Sequence, residues 1–323
     1  MARAGRDGGH GGDVRARACA GAAAVSQASE LEAKRREKTM TRIGVIGLGR
    51  MGAAIAERFA AQGAQVCGWT RSGRAVPGIE SAPDIGALVA QSEGIVLSLL
   101  DDAAVGAMLD ALLACDLSGR LVADTSTADP HLICARAADF AAKGARIVDA
   151  PISGGPDLVR AGACGVFIGG APEAAAQARE LMAMLSGRVF HTGPLGTGLV
   201  MKVINNGMLQ AYFSGLADLL PVAQAAGLPL ETVLTILAGG PAGMPMLKDR
   251  LPKILGTDPG VGFPVSGVMK DNALFRAILA SYGQPAPTLE RFAALAPGAQ
   301  AADLWEADLA ALVRLAYAPP AGG

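Results

Sequence analysis

The sequence has few of the residues on which several functional classes depend. Aromatic residues make up 4% of the 323 residues, and the formal net charge is −1 at pH 7. Nucleic-acid binding usually relies on a basic surface and on aromatic side chains that stack on bases. Hydrophobic runs are short, and none approaches the roughly 18 residues that a membrane-spanning helix needs. We therefore expect neither a nucleic-acid partner nor a membrane-spanning segment.

Cysteine and histidine are also scarce. The five cysteines are scattered and form no C-x-x-C pair, which argues against a disulfide framework and a zinc site. This usage predicts a reducing, cytoplasmic location. The three histidines, His10, His131 and His191, form no metal-type pair, and none accompanies a plausible serine nucleophile. Acid–base chemistry is therefore expected to use another residue type, and no metal is predicted.

The sequence does contain enough hydrophobic residues for a sizeable core. These residues make up 51% of the chain, and its length suits two domains. Residues 1–39 differ from the rest because they are rich in Ala, Gly and Arg and end in a mixed run of charges. A segment of this composition has little means of building a core. We predict that residues 1–39 form a disordered extension.

From Ile43 onward, short apolar runs alternate with longer Ala-rich stretches, and Gly or Asp lies at the junctions. This alternation is the βαβ pattern of a parallel sheet. After about Gly198 the strand signal stops, and a long helix is predicted over Leu199–Ala226, ended by Gly227-Leu228-Pro229. The predicted strands cover residues 43–46, 65–69, 95–99, 121–124, 147–150, 164–168 and 188–191.

A glycine-rich loop, Gly47-Leu48-Gly49-Arg50-Met51-Gly52, directly follows the first predicted strand and opens a predicted helix. This is the context of the dinucleotide-binding fingerprint. The first glycine makes the tight turn, the second allows the backbone to approach a pyrophosphate, and the third permits close helix–strand packing. The N-terminus of the helix offers free N–H donors to the phosphates. The loop predicts binding of a dinucleotide, although a purely structural glycine turn is the alternative.

These patterns together predict an α/β fold with two domains. Residues 40–198 are predicted to form an N-terminal Rossmann-type parallel-sheet domain that binds NAD(P). Residues 199–318 are predicted to form an all-α C-terminal domain for substrate binding and dimerisation, joined to the first by the long helix.

The end of the second predicted strand bears on the choice of cofactor. An NAD site usually presents Asp or Glu there to the ribose 2′-hydroxyl, but this chain has Arg71 and Ser72. Arg71 can pair with a 2′-phosphate, and Ser72 can donate a hydrogen bond to it. The pattern favours NADP over NAD. The alternative is an arginine in a solvated loop.

A lysine and two asparagines interrupt the apolar run at the start of the long predicted helix. Residues three and four apart share a helix face, so Lys202 can lie beside Asn205 or Asn206. This places a proton carrier next to an amide. The alternative is a lysine that reaches solvent and two asparagines near a helix start.

A turn-rich loop, Pro151-Ile152-Ser153-Gly154-Gly155-Pro156, follows the fifth predicted strand. Ligands of open α/β sheets bind at the carboxyl ends of strands. The Ser153 hydroxyl and the amides of Gly154 and Gly155 can form a concave anion site suited to a carboxylate. The alternative is a simple turn.

Four segments of this chain stand out together: Gly47–Gly52, Asp149–Gly155, Gly196–Asn206 and Val268–Asp271. In order and spacing they match the signature segments of the β-hydroxyacid dehydrogenases. The chain therefore resembles that family, which contains 3-hydroxyisobutyrate dehydrogenase and tartronate semialdehyde reductase. The resemblance extends from Met40 to about Leu315.

The resemblance implies roles for particular residues. Lys202 corresponds to the catalytic lysine, and Asn206 to the residue that positions substrate beside it. Ser153, Gly154 and Gly155 correspond to the residues that hold the substrate carboxylate. Asn205 is then interpreted as the structural member of the asparagine pair.

Further positions match cofactor contacts of the family. Leu100, Asp101 and Thr127 correspond to contacts from the sheet domain, and Lys270 to a lysine that approaches from the helical domain. The chain departs from the family at Asp101, where proline is common, and at Ala163-Cys164-Gly165-Val166, which replaces a Thr-Leu-Thr-Ile type of stretch. The second departure leaves the choice of substrate open.

The implied activity is hydride transfer between a nicotinamide and a small β-hydroxy acid or semialdehyde, with Lys202 as general acid and base. One alternative is an imine reductase-like NADPH enzyme, but relatives of that type generally lack the lysine. Another is a catalytically silent cofactor-binding scaffold. The apolar faces of the predicted helical domain favour a homodimer or homotetramer.

Overall fold

The computed structural model describes residues 41–317. The predicted disordered extension, residues 1–39, lies outside these residues. Within them a nine-stranded sheet occupies the N-terminal part. Its strands are β1 (Arg42–Ile46), β2 (Gln65–Trp69), β3 (Glu80–Ser81), β4 (Gly94–Leu97), β5 (Leu121–Asp124), β6 (Arg146–Asp149), β7 (Ile152–Ser153), β8 (Gly165–Gly169) and β9 (Arg188–Gly193).

The sheet has the strand order of a doubly wound fold. Six strands lie parallel in the order β3-β2-β1-β4-β5-β6. The chain leaves β1 toward β2 on one side and later returns to β4 on the other, so a crevice opens at the carboxyl ends of β1 and β4. Beyond β6 the direction reverses, because β8 runs antiparallel to β6 and β7, while β9 runs parallel to β8.

All seven predicted strands are confirmed, with bounds that differ by at most two residues. The two strands that were not predicted, β3 and β7, have two residues each and are too short to show an alternating pattern. Central strands are buried on both faces, as β4 and β5 illustrate. Such strands read as continuous apolar runs because helices cover both sides of a parallel sheet.

Helices cover the sheet and connect its strands. The helix predicted after the glycine loop is confirmed as α1, and its buried face includes Ile55 and Phe59. The helices of this part are α1 (Arg50–Ala61), α2 (Ile85–Gln91), α3 (Asp102–Leu113), α4 (Pro130–Ala135), α5 (Ala137–Ala142), α6 (Pro156–Arg160) and α7 (Pro172–Met182).

A 29-residue helix, α8 (Thr197–Ala225), follows the sheet, and only helices come after it in the described residues. It ends before Gly227, whose φ of +71° no longer suits a helix. The fold class predicted from the sequence is therefore confirmed. The later helices are α9 (Leu230–Gly239), α10 (Pro245–Leu255), α11 (Val265–Ser281), α12 (Pro287–Ala293), α13 (Ala296–Ala301) and α14 (Ala311–Tyr317).

The helical part has a core of its own. It includes the buried side chains of Phe213 and Leu216 from α8, Leu234 from α9 and Phe292 from α12. The predicted boundary at residue 198 falls within the first turn of α8, and the division into two domains stays a prediction. None of the helices within residues 41–317 is both long enough and apolar enough to cross a membrane.

Candidate active site

The glycine loop after β1 has the shape that a pyrophosphate requires. Gly47 has a φ of +92°, which only glycine adopts readily, and it turns the chain toward α1. A Cβ at Gly52 would lie 1.7 Å from the carbonyl oxygen of Gly47, so the helix can approach the loop this closely only with glycine there. A Cβ at Gly49 would meet nothing within 4 Å, so the backbone faces open space. The loop therefore fits a dinucleotide at the start of α1.

The loop after β4 lies on the other side of the same crevice. The amide of Leu99 donates to Ser126 Oγ at 2.9 Å, which holds this loop against the one that contains Thr127. Leu100 is exposed at its tip. Asp101 caps α3, because its carboxylate accepts the Ala104 N–H at 2.8 Å. This gives the departure from proline at position 101 a physical reason, since aspartate is a favoured N-cap.

The loop after β2 carries the two residues predicted to select the cofactor. Arg71 and Ser72 are both exposed in a turn that ends at Gly73. Arg74, in the same loop, lines a cavity of about 310 Å³ together with Arg50. The Arg50 guanidinium itself donates to the carbonyl oxygens of Val261 and Gly262, which precede α11. Arg71 remains accessible to a ligand.

The predicted substrate loop begins at the carboxyl end of β6. Ser153 lies in β7 opposite Gly165 of β8, so the departure from the family pattern at residues 163–166 faces this loop. Gly154 has a φ of +133°, and its Cβ would lie 3.2 Å from Leu158. Gly155 immediately precedes α6. The conformation of the loop therefore depends on glycine at position 154.

Lys202 is buried in α8, with 8% of its surface exposed, and its Nζ donates to the Ile152 carbonyl oxygen. Asn205 Nδ2 donates to Ser153 Oγ at 3.0 Å and to Asn206 Oδ1 at 3.0 Å. The structure thus brings the lysine, both asparagines and the predicted substrate loop together. Asn205 links Ser153 to Asn206, a contact that the sequence reasoning did not identify.

Burial favours the neutral form of Lys202 more than water would. It is the main reason that the pKa of Lys202 falls to about 8; the carboxylate of Asp271 opposes this shift, and the charge of Lys270 adds a smaller lowering effect. Burial also raises the pKa of Asp271, although the two lysines lower it. Lys270 Nζ lies 3.1 Å from Asp271 Oδ1 and donates to the Leu100 carbonyl oxygen at 2.7 Å. Lys270 therefore joins α11 to the loop after β4.

Sequence reasoning missed Asp271 as a neighbour of Lys202. Asp271 directly follows Lys270 in a matched segment, but no pattern in the sequence places it beside Lys202, which lies 69 positions earlier. His191 Nε2 lies 3.0 Å from the carbonyl oxygens of Gly170 and Gly193 at the end of the sheet. Across residues 41–317, no group of three His, Cys, Asp or Glu side chains is arranged to hold a metal ion.

Two family profiles match adjacent parts of the chain. The NAD binding domain of 6-phosphogluconate dehydrogenase matches residues 42–193. The profile described as NAD-binding of NADP-dependent 3-hydroxyisobutyrate dehydrogenase matches residues 196–316. Two residues, 194 and 195, separate the matches just before α8 begins.

Individual proteins are similar over most of the folded chain. A 3-hydroxyisobutyrate dehydrogenase of Pseudomonas aeruginosa is 32% identical over 212 residues, which cover 62% of this chain and 71% of that protein. An NAD-dependent L-serine dehydrogenase of the same organism is 34% identical over 212 residues, covering 63% and 71%. The solved structure of Mycobacterium tuberculosis 3-hydroxyisobutyrate dehydrogenase with L-serine has a TM-score of 0.77 and 25% identity, and covers 86% of this chain and 100% of that chain.

Proposed function

Because this chain belongs to the β-hydroxyacid dehydrogenase family, an NAD(P)-dependent group that acts on CH–OH groups, we propose that Lys202 is its general acid and base. One observation carries the proposal. Lys202 is buried, its pKa is lowered to about 8, and its Nζ contacts the loop that contains Ser153. A lysine with this pKa can carry or release a proton near neutral pH.

The residues around Lys202 supply the other tasks of the reaction. A bound nicotinamide accepts or supplies the hydride. In oxidation, Lys202 takes the proton of the substrate hydroxyl, and in reduction its ammonium donates a proton to the carbonyl oxygen. Asn206 orients that oxygen one helical turn from Lys202. The Ser153 hydroxyl, with the amides of Gly154 and Gly155, holds the substrate carboxylate.

We propose that the substrate is a small acid with a hydroxyl group on its β carbon. The names of the relatives support this class, because 3-hydroxyisobutyrate and L-serine share a carboxylate and a β-hydroxyl group. The two acids differ at the α carbon, which carries a methyl group in one and an ammonium group in the other. The proposed anion site at Ser153 suits a carboxylate better than it suits a cyclic imine, and Lys202 also counts against the imine reductase alternative.

Turnover assays with purified protein test this function. We expect NADP-dependent oxidation of 3-hydroxyisobutyrate or L-serine, or reduction of the matching semialdehydes, and no reduction of cyclic imines. Tartronate semialdehyde, glyoxylate, succinic semialdehyde and threonate complete the panel, each with both nicotinamide cofactors. Cofactor binding without turnover of any acid or imine would favour the scaffold alternative, and turnover of imines alone would reject the proposal.

We also propose that Arg71 makes the enzyme prefer NADP. Its exposed guanidinium lies in the loop after β2, and the exposed Arg74 of that loop adds a second positive charge. A guanidinium–phosphate contact contributes roughly 1.5–3 kcal/mol. Arg71→Ala is therefore expected to raise the KM for NADP by about tenfold or more and to change the KM for NAD by less than about twofold.

Steady-state kinetics with each cofactor measure the Arg71 effect. Arg276→Ala is the matched control, because Arg276 is an exposed arginine of α11 that makes no hydrogen bond or ion pair within residues 41–317. It should leave both KM values unchanged. An equal rise in KM for both cofactors would show that Arg71 does not bind the 2′-phosphate.

We propose further that the chain forms a homodimer or homotetramer. Several large apolar side chains on α8 and α9 are more than half exposed in the single chain, which supports a buried interface there. Sedimentation at micromolar concentration tests this, and a monomer would contradict it. The side chains are Ile204, Met208, Leu219, Val222 and Ile236.

A further inference from the structure

Asp149 is a buried carboxylate to which the proposed mechanism gives no task. It is the last residue of β6, and none of its surface is exposed. Its Oδ1 accepts the N–H of Gly196 at 2.6 Å, and its Oδ2 accepts the N–H of Leu199 at 2.7 Å. Both amides belong to the start of α8, where helical N–H groups lack intrahelical partners. The residue before this helix is glycine, so no side chain of the helix itself caps it.

The carboxylate of Asp149 is tightly packed against β8 and the start of α8. A Cβ at Gly169 of β8 would lie 2.2 Å from Asp149 Oδ1. A Cβ at Gly198 would lie 2.8 Å from Asp149 Oδ2 and 2.4 Å from the Phe167 carbonyl oxygen. Glycine at both positions therefore allows α8 to pack directly on the carboxylate and on β8. Any larger residue would move the helix start away.

Asp149 also lies on the segment that Lys202 contacts. Three residues after it, the Ile152 carbonyl oxygen accepts the hydrogen bond from Lys202 Nζ. The next residue, Ser153, accepts the hydrogen bond from Asn205. On the helix, Leu199 lies three residues before Lys202. Asp149 therefore lies two positions before the substrate loop along the chain, and two hydrogen bonds join its carboxylate to the start of the helix that carries the lysine.

We propose that Asp149 is a positioning residue that fixes Lys202 relative to the substrate loop. The inference rests on the proposed role of Lys202. A carboxylate at a helix N-terminus is stabilised by the helix dipole and by the free N–H groups, so the contact is strong as well as directional. A displacement of about 1 Å at a reacting group can cost about 100-fold in rate. A small shift of the start of α8 would therefore lower the rate without removing any group that touches substrate.

The neighbouring carboxylate provides a matched control. Asp124 lies directly beside Asp149 in the sheet register and is equally buried. Its Oδ1 accepts the Ser126 N–H at 2.9 Å, but its Oδ2 has no partner within residues 41–317. Burial, with the nearby charge of Asp149, raises the pKa of Asp124 to about 6. Asp124→Asn thus removes a buried carboxylate at the same depth without touching α8.

The test compares Asp149→Asn with Asp124→Asn in the full chain. Asparagine keeps the shape but places an NH₂ group against one of the two helix amides. We expect Asp149→Asn to lower kcat about 10- to 100-fold while the KM for NADP(H) changes by less than about twofold. The pH at which kcat is half-maximal should not move, because the Asp149 carboxylate contacts the Gly196 and Leu199 amides and not Lys202 Nζ. Asp124→Asn should keep kcat within about threefold of wild type.

A second variant and a second measurement complete the test. Gly198→Ala keeps the carboxylate but pushes the helix from it, so it should show the same loss of kcat with an unchanged KM for NADP(H). Hydrogen exchange should be faster for amides at the start of α8 in both variants. The inference is overturned if both variants fold and keep kcat within threefold of wild type. If Asp149→Asn does not fold, the same result in Gly198→Ala alone overturns it. An inactive wild-type protein would instead reject the proposed function.

Discussion

Replacing Lys202 with methionine is expected to lower kcat by about 100- to 10,000-fold, which is the usual contribution of a general acid or base. Methionine has nearly the same length and suits the buried site, so we expect the fold to persist. The substitution removes the only group in the proposed mechanism that carries a proton. Stopped-flow or steady-state assays measure kcat, and NADPH fluorescence measures cofactor affinity, which should change by less than about twofold.

Lys248→Met is the control for this substitution, because Lys248 is an exposed lysine of α10. It should keep wild-type kcat and thermal stability. Equal rates in Lys202→Met and wild type would remove Lys202 from the mechanism. A loss of the far-ultraviolet circular dichroism signal in Lys202→Met would instead assign the lysine to stability.

The pH dependence gives an independent readout of the same lysine. With a pKa of about 8, Lys202 is mostly protonated at pH 7. Oxidation needs the neutral amine, so kcat for oxidation should rise about tenfold per pH unit below pH 8 and level off above it. Reduction needs the ammonium, so its kcat should fall above pH 8. Asp271→Asn should move both midpoints to lower pH, because the charge of Asp271 raises the pKa of Lys202.

The second large effect is expected at Gly52. An alanine Cβ there would overlap the Gly47 carbonyl oxygen, which lies 1.7 Å from the Cβ position, so α1 must move away from β1. We expect Gly52→Ala to lower the free energy of unfolding by about 1–3 kcal/mol or more, as overpacking does. The same movement displaces the amides at the start of α1. The Kd for NADP should therefore rise by at least about tenfold.

Gly49→Ala separates binding from stability. A Cβ at position 49 meets nothing within 4 Å, so the free energy of unfolding should change by less than about 0.5 kcal/mol. The added methyl group nonetheless stands where a pyrophosphate must approach the backbone, so the Kd for NADP should also rise. Calorimetric titration and thermal unfolding measure the two quantities. Wild-type affinity in Gly49→Ala would show that the loop does not hold the pyrophosphate.

Much of the fold could be predicted because its signals are local. Strands β1, β2, β4, β5 and β6 are mostly buried on both faces, so short apolar runs mark them. The two-residue β3 is exposed and has no such run. Gly47, Gly49 and Gly52 each require glycine for a different steric reason, and each reason depends only on a strand–turn–helix context. The two-residue strand β7 and the antiparallel direction of β8 could not be predicted. Strand direction at that edge depends on pairing between segments, which leaves no periodic pattern in either.

In the candidate site, too, local signals could be predicted and contacts between distant segments could not. Lys202 and Asn206 could be singled out because polar residues spaced by one helical turn in an apolar run are conspicuous. The contact of Asn205 with Ser153 and the closeness of Asp271 to Lys202 could not be predicted from spacing. Ser153 and Asn205 are 52 positions apart in the chain, and Lys202 and Asp271 are 69 positions apart. Only packing brings the members of each pair together.

The sequence by itself determined the residue types of this protein's chemistry and the order of its structural elements. It placed a dinucleotide loop after the first strand, a serine–glycine loop after a later strand, and a lysine at the start of a long helix. Only the tertiary structure decided how these parts meet. The carboxylate of Asp149 anchors the start of α8, the burial of Lys202 lowers its pKa, and Lys270 reaches the loop after β4. Each depends on distances and on exclusion of water, which arise when distant segments pack together.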